Sequence, residues 1–330
     1  MDSLHGIANG WMWAGFAVFV IVAIFVDLVA LEKKGAHVVT MREALSWSAL
    51  WIALAFVFNG LLWYWLDASV GREIANIKAT EFLTGYLIEK SLSVDNIFVF
   101  LLLFTAFAVP PDLQKRALII GVIGAIVLRV IMILIGAWLI AKFHWILYLF
   151  GAFLLITGIK MIWVADHEPD LEKNPILKWM RGHLLITRDF VGEKLTFTKD
   201  GVRWFTPLFV VVVLIGITDV IFAVDSIPAI FAITTDPFIV MTSNIFAVLG
   251  LRALYFLLAD LADRFHLLKY GLALVLIFIG TKMLIVEWYK IPVFVSLGVV
   301  ASILAISMAA SWLIPEKAAE ESVEAKTKSD

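Results

Sequence analysis

The sequence predicts an all-α fold: a polytopic membrane protein of nine transmembrane helices, with helices 3–5 and 6–8 as inverted three-helix repeats. Three observations predict it. The 330 residues are 62 % hydrophobic with a mean hydropathy of +0.97, against roughly 45–50 % apolar in soluble domains. The apolar residues gather in runs near the ~20 residues that a bilayer core about 30 Å thick asks of a helix. A block of three such runs then recurs later in the chain.

The runs are 11–31, 46–66, 80–107, 117–141, 145–164, 205–233, 238–260, 267–287 and 291–314. The first two lie in an N-terminal part, 1–79. The first repeat is 80–164, a soluble loop fills 165–204, the second repeat is 205–287, and the ninth helix lies in 288–314. The tail 315–330 is too polar and charged to bury a core and reads as disordered. Alternating strands of about 10 residues, the mark of a membrane barrel, are absent. The N-terminus lacks the basic n-region and A-x-A site of a cleaved signal, and the run from Trp11 is long enough to span.

Composition excludes several functions. A net charge of −2 leaves no basic face for nucleic acid. With no cysteine, the chain has no disulfide, thiolate metal site, iron–sulfur cluster or thiol redox couple. Thirteen Trp and 25 Phe suit interfacial belts and bundle packing. Lys and Arg are sorted by side: 17 fall on one side of the expected spans and four on the other, which places the N-terminus outside and the C-terminus in the cytoplasm.

The repeat is read from matched residues. Phe143-His144, Tyr148, Leu154, Gly158 and Lys160-Met161 recur 122 residues later as Phe265-His266, Tyr270, Leu276, Gly280 and Lys282-Met283. Leu128-Arg129 recurs as Leu251-Arg252. Val94-Asp95 and Ile97 match Val224-Asp225 and Ile227 at an offset of 130. Three helices per unit is an odd number, so the second unit enters from the opposite side. Many secondary transporters share this layout, with sites near the midplane between the repeats.

The candidate site lies in helices 3 and 6. Glu89-Lys90-Ser91-Leu92-Ser93-Val94-Asp95-Asn96 matches Asp219-Val220-Ile221-Phe222-Ala223-Val224-Asp225-Ser226. Each has an acid, five residues, a second acid, then a small polar side chain. An acid at this depth costs about 2.5–3.5 kcal/mol, so four of them call for a cavity or partners. Acids six apart on a helix are about 120° apart and about 9 Å along the axis. Pro228 has no N–H for the Val224 carbonyl, and an unwound turn there would add backbone oxygen to the ligand set. Oxygen ligands without cysteine select hard divalent cations such as Mg2+, Ca2+ or Mn2+.

The metal candidates are therefore Glu89, Asp95, Asn96, Asp219, Asp225 and Ser226, with Lys90, Arg129 and Arg252 as charge compensation and Asp27 in helix 1 as an accessory. A purely structural reading has the acids neutralised by those cations. Surplus charge could instead be neutralised by protons, coupling metal to H+. Asn59 and Asn244 read as interhelical hydrogen bonds, and Lys160 and Lys282 as snorkelling residues. The run Asp166-His167-Glu168-Pro169-Asp170 reads as a solvated loop and Asp236-Pro237 as a turn.

These motifs resemble the TerC family of bacterial integral membrane proteins. The resemblance runs through 82–96, 219–232, Thr242-Ser243-Asn244 and Leu249-Gly250-Leu251-Arg252, covers most of the chain, and looks closest to the alkali-induced branch. It implies a nine-pass protein of the bacterial inner membrane linked to manganese export, with Glu89, Asp95, Asp219 and Asp225 as metal ligands. Manganese comes from the resemblance alone.

The reading is thus a secondary transporter exporting a divalent cation, Mn2+ by resemblance, in antiport with protons as an option. Its partners are the metal ion and the bilayer, with no cofactor and no nucleic acid. The alternative is a non-transporting membrane stress or assembly factor of the tellurium-resistance or redox-modulator type. An enzyme is not expected: an aspartyl protease dyad would need a G-x-G-D stretch, which is absent, and no P-loop supports an ATP-driven pump.

Overall fold

The structure, a computed structural model, describes residues 6–32, 40–143, 145–164, 175–187, 189–199, 201–259 and 267–314. The 166–170 run, the 315–330 tail, Lys33, Lys34, His144 and His266 lie outside them, as do the side chains of Asp95 and Asp225. The described chain is helical apart from one hairpin in the 165–204 loop. Its elements are α1 (Gly10–Glu32), α2 (Met41–Ser69), α3 (Arg72–Ala106), α4 (Pro111–Lys142), α5 (Ile146–Val164), α6 (Pro175–His183), β1 (Thr196–Lys199), β2 (Val202–Phe205), α7 (Pro207–Phe231), α8 (Pro237–Val248), α9 (Leu251–Ala259), α10 (Leu268–Leu284) and α11 (Val293–Leu313).

Local sequence explains the helix starts. Thr40 accepts from the Glu43 amide at the head of α2, with an acid at the third position as in a capping box. Proline opens α4, α7 and α8, where its missing N–H removes a donor the helix could not use. Asp236, expected in a turn, caps α8 by accepting from the Phe238 amide at 3.0 Å and the Ile239 amide at 3.4 Å. The hairpin pairs Thr196 with Phe205 through Lys199 with Val202, an element absent from the reading of that loop.

Seven described segments are long and apolar enough to cross a bilayer: Gly10–Asp27, Met41–Ser69, Pro111–Lys142, Ile146–Trp163, Pro207–Phe231, Pro237–Leu257 and Phe294–Leu313. The other two expected runs, 80–107 and 267–287, are also helical. They differ because α3 carries the charged motif and α10 has only 17 residues.

Two expectations about helix continuity are corrected. Pro228 does not unwind its helix: α7 runs through it to Phe231, because the proline sits within the last turn. The interruption falls instead inside the 238–260 run. α8 stops at Val248, Leu249 is extended (φ −58°, ψ 129°) and Gly250 takes φ +81° before α9 begins. Only glycine adopts that φ without strain. A Cβ there would also lie 2.5 Å from Trp51 Cδ1 of α2.

α8 is the innermost helix. Every residue from Phe238 to Val248 is buried. Phe16 and Phe19 of α1, Phe58 of α2 and Phe82 of α3 form ring contacts with Phe238 or Phe246 on one side of it. α3 packs on α8, α4 on α7, and α5 on α10. Small residues permit the close crossings. A Cβ on Gly85 of α3 would meet Ser243 Oγ at 2.9 Å, and one on Gly121 of α4 would meet Ile215 Cγ2 at 2.7 Å. Likewise a Cβ on Gly158 of α5 would lie 2.8 Å from the Ala273 carbonyl oxygen, and one on Gly280 of α10 would lie 2.7 Å from that of Gly151.

Candidate functional site

α3 and α7 lie against each other and carry the two acidic motifs. α3 stays helical despite its polar residues because its hydroxyls bond back to their own helix: Thr84 to the Thr80 carbonyl at 2.7 Å and Ser93 to that of Glu89 at 2.8 Å. Such internal bonds leave the hydroxyls satisfied without water. Thr218 of α7 does the same with Leu214. The carboxylates have no such local option.

Glu89 of α3 and Asp219 of α7 meet through one guanidinium. Arg129 of α4, 1 % exposed, donates from Nη2 to Asp219 Oδ1 at 3.0 Å and from Nε to Oδ2 at 3.3 Å. Its Nη1 donates to Asn244 Oδ1 of α8 at 3.1 Å and is in ion-pair contact with Glu89. Glu89 is fully buried, and neither of its oxygens has a directed hydrogen bond. The fork fixes Asp219 bidentately, while Glu89 is held by charge alone.

About two turns further along each helix come Asn96 and Ser226. Both are 1 % exposed, and among the described residues the amide nitrogen and oxygen of Asn96 and the hydroxyl of Ser226 have no hydrogen-bond partner. Buried polar atoms are nearly always partnered, and an orphan costs about 1–3 kcal/mol. Each directly follows the second acid of its motif. Among the described residues no three carboxylate or imidazole side chains converge on one point.

The remaining sequence candidates are placed apart. Lys90, half-buried, turns to α8 and donates to the Ala247 carbonyl at 3.2 Å. That carbonyl is in the last turn of α8, where no following helical amide reaches it. Arg252 of α9 donates from Nη2 to Asp27 Oδ1 of α1 at 2.6 Å. Its Nη1 is buried without a partner, and the side chain lines a small cavity (20 Å³) with Asp27, Ile119, Leu249 and Gly250. Asn244 makes the interhelical bond expected of it, whereas Asn59 Oδ1 has no partner. Lys282 is buried at 8 % exposure rather than extended to the surface.

Sequence reading missed the helix interruption and the lysine that serves it. Leu249-Gly250 offered a signal, since a glycine in mid-span marks a place where a helix can stop. Nothing local signalled that Lys90 would reach α8.

The sequence profile of the Integral membrane protein TerC family matches residues 74–319. A protein of Salmonella typhi provisionally named membrane-bound redox modulator Alx is 54 % identical over 305 residues, 92 % of this chain and 95 % of its own length. The Escherichia coli K12 protein of the same name is 55 % identical over 304 residues, with the same shares. An uncharacterized membrane protein of Myxococcus xanthus is 45 % identical over 313 residues, 95 % of each chain. No solved structure matches the chain. The chain belongs to the TerC family, as its motifs indicated.

Proposed function

We propose that this TerC family chain is a secondary transporter that exports a hard divalent cation, Mn2+ first among them, through a mid-membrane site between α3 and α7. The observation that carries the reading is the pair Asn96 and Ser226. They occupy matching positions beside Asp95 and Asp225, are buried, and have unpartnered polar atoms. Oxygen donors of this kind are those a hard cation takes.

Charge supports it. By formal charge, the four acids Glu89, Asp95, Asp219 and Asp225 set against Arg129 and Lys90 leave two negative charges, which one divalent ion balances. The paired crossings support an inverted repeat: Gly85 with Ser243 becomes Ile215 with Gly121 under the two offsets, and Gly158 with Ala273 becomes Gly280 with Gly151. A two-fold relation within the bundle returns each contact as its own counterpart. In this reading α8 and α9 are one interrupted crossing, α3 and α10 also cross, and the protein has nine passes of the bacterial inner membrane with the N-terminus outside. The relatives' printed name points to redox modulation, but with no cysteine such a role could not run on thiols here.

Metal flux in proteoliposomes tests the proposal. Wild type moves Mn2+ faster than Mg2+, Ca2+ or Zn2+, and a pH gradient changes the rate if protons travel the other way. Asp95→Asn and Asp225→Asn each abolish Mn2+ flux while the protein still folds. Flux in those variants equal to wild type would sink the site assignment. No metal flux in wild type would leave the stress or assembly role as the better reading.

A further inference from the structure

We infer that the Glu89–Asp219 pair is a second cation position whose occupant is built in: the guanidinium of Arg129. In this view Arg129 determines how many ions from solution the protein takes. The inference rests on the transport reading above and adds the ion stoichiometry to it.

The two acids are 0 % and 2 % exposed and come from matching places in the two motifs. Without a cation between them, two carboxylates at this depth would repel each other in a low dielectric. Arg129 removes that need by touching both, and Asn244 fixes the one Nη that does not bond Asp219. The pair is thereby closed to solution ions. Asn96 and Ser226 have no comparable resident: their polar atoms are buried and open.

The equivalent arginine does not compete for the same place. Arg252 is drawn off by Asp27, on a helix outside the repeats, and the glycine at Gly250 breaks the helix just before it. One guanidinium therefore serves two acids, and one position is left for a free ion. Arginine suits the fixed position because it stays charged and its planar fork matches a carboxylate.

Equilibrium dialysis of the purified, detergent-solubilised protein against MnCl2, with or without NaCl, counts the ions. Wild type binds one Mn2+ per chain, and Na+ leaves its melting temperature unchanged. In Arg129→Gln the bare acid pair takes a cation from solution, so the Mn2+ count doubles or Na+ becomes stabilising. In the triple variant Glu89→Gln/Arg129→Gln/Asp219→Asn the place carries no charge, and the single Mn2+ and the indifference to Na+ return. That variant also guards against misfolding, since it leaves no unpaired charge on any of the three residues. Arg129→Gln that keeps one Mn2+ and ignores Na+, or a triple variant that behaves like the single one, overturns the inference alone. Wild type that binds no divalent ion overturns the transport reading together with it.

Discussion

Arg129 and Arg252 occupy matching places in the sequence and opposite situations in the structure. Arg129 sits in the middle of an uninterrupted 32-residue helix, makes three hydrogen bonds and touches two acids. Arg252 opens a nine-residue helix just after a break, makes one hydrogen bond to one acid, and leaves an Nη unpartnered. A helix N-terminus is also the unfavourable end for a cation, which makes the carboxylate of Asp27 the needed counterweight. The difference teaches that backbone continuity decides where a side chain delivers its charge. After a single glycine in the left-handed region one buried arginine pairs with α1, while its counterpart bridges α3 and α7.

The widest gap between the two is expected on truncation. Arg129→Leu leaves two buried carboxylates without a counter-charge and costs about 3–5 kcal/mol. Arg252→Leu leaves only Asp27, whose side chain is 20 % exposed, and costs about 1–3 kcal/mol. Chemical unfolding in detergent measures both, and equal losses would break the comparison. Gly250→Ala probes the backbone device itself: the forced φ costs roughly 1–3 kcal/mol, before the clash with Trp51. Its melting temperature should fall below that of Gly10→Ala, where a Cβ meets nothing within 4 Å.

A smaller and sharper test concerns symmetry rather than asymmetry. Gly158→Ala and Gly280→Ala each press a methyl against the facing backbone and should each cost about 1–3 kcal/mol. Near-equal shifts in melting temperature would support a two-fold relation between α5 and α10. A loss confined to one of them would argue that the likeness stops at the sequence.

The apolar runs made the helices readable, because burial in lipid and burial in protein both demand them. Arg129 as charge compensation was readable for the same reason: a cation among acids at that depth has little else to do. The partners of Arg252 and Lys90 were not, since both depend on where α8 stops, at the left-handed Gly250 packed against Trp51 of a distant helix. Pro228 misled in the opposite direction, its effect being absorbed within the final turn of α7. Spacing makes Asn96 and Ser226 candidates, but only packing reveals that their polar atoms stand alone among the described residues.

The burial of α8 bears on how the protein is made. A helix with no lipid-facing residue must still pass through the membrane before its neighbours surround it. Thr242 and Ser243 bond to their own helix at the Phe238 and Ile239 carbonyls, each at 2.7 Å, so the segment brings few unsatisfied groups into the lipid during that interval. Asn244 is the exception: its oxygen accepts from Arg129 of α4, so it is satisfied only once α8 packs against α4. The last open acceptor of the segment is thus met by packing between helices and not within α8 itself.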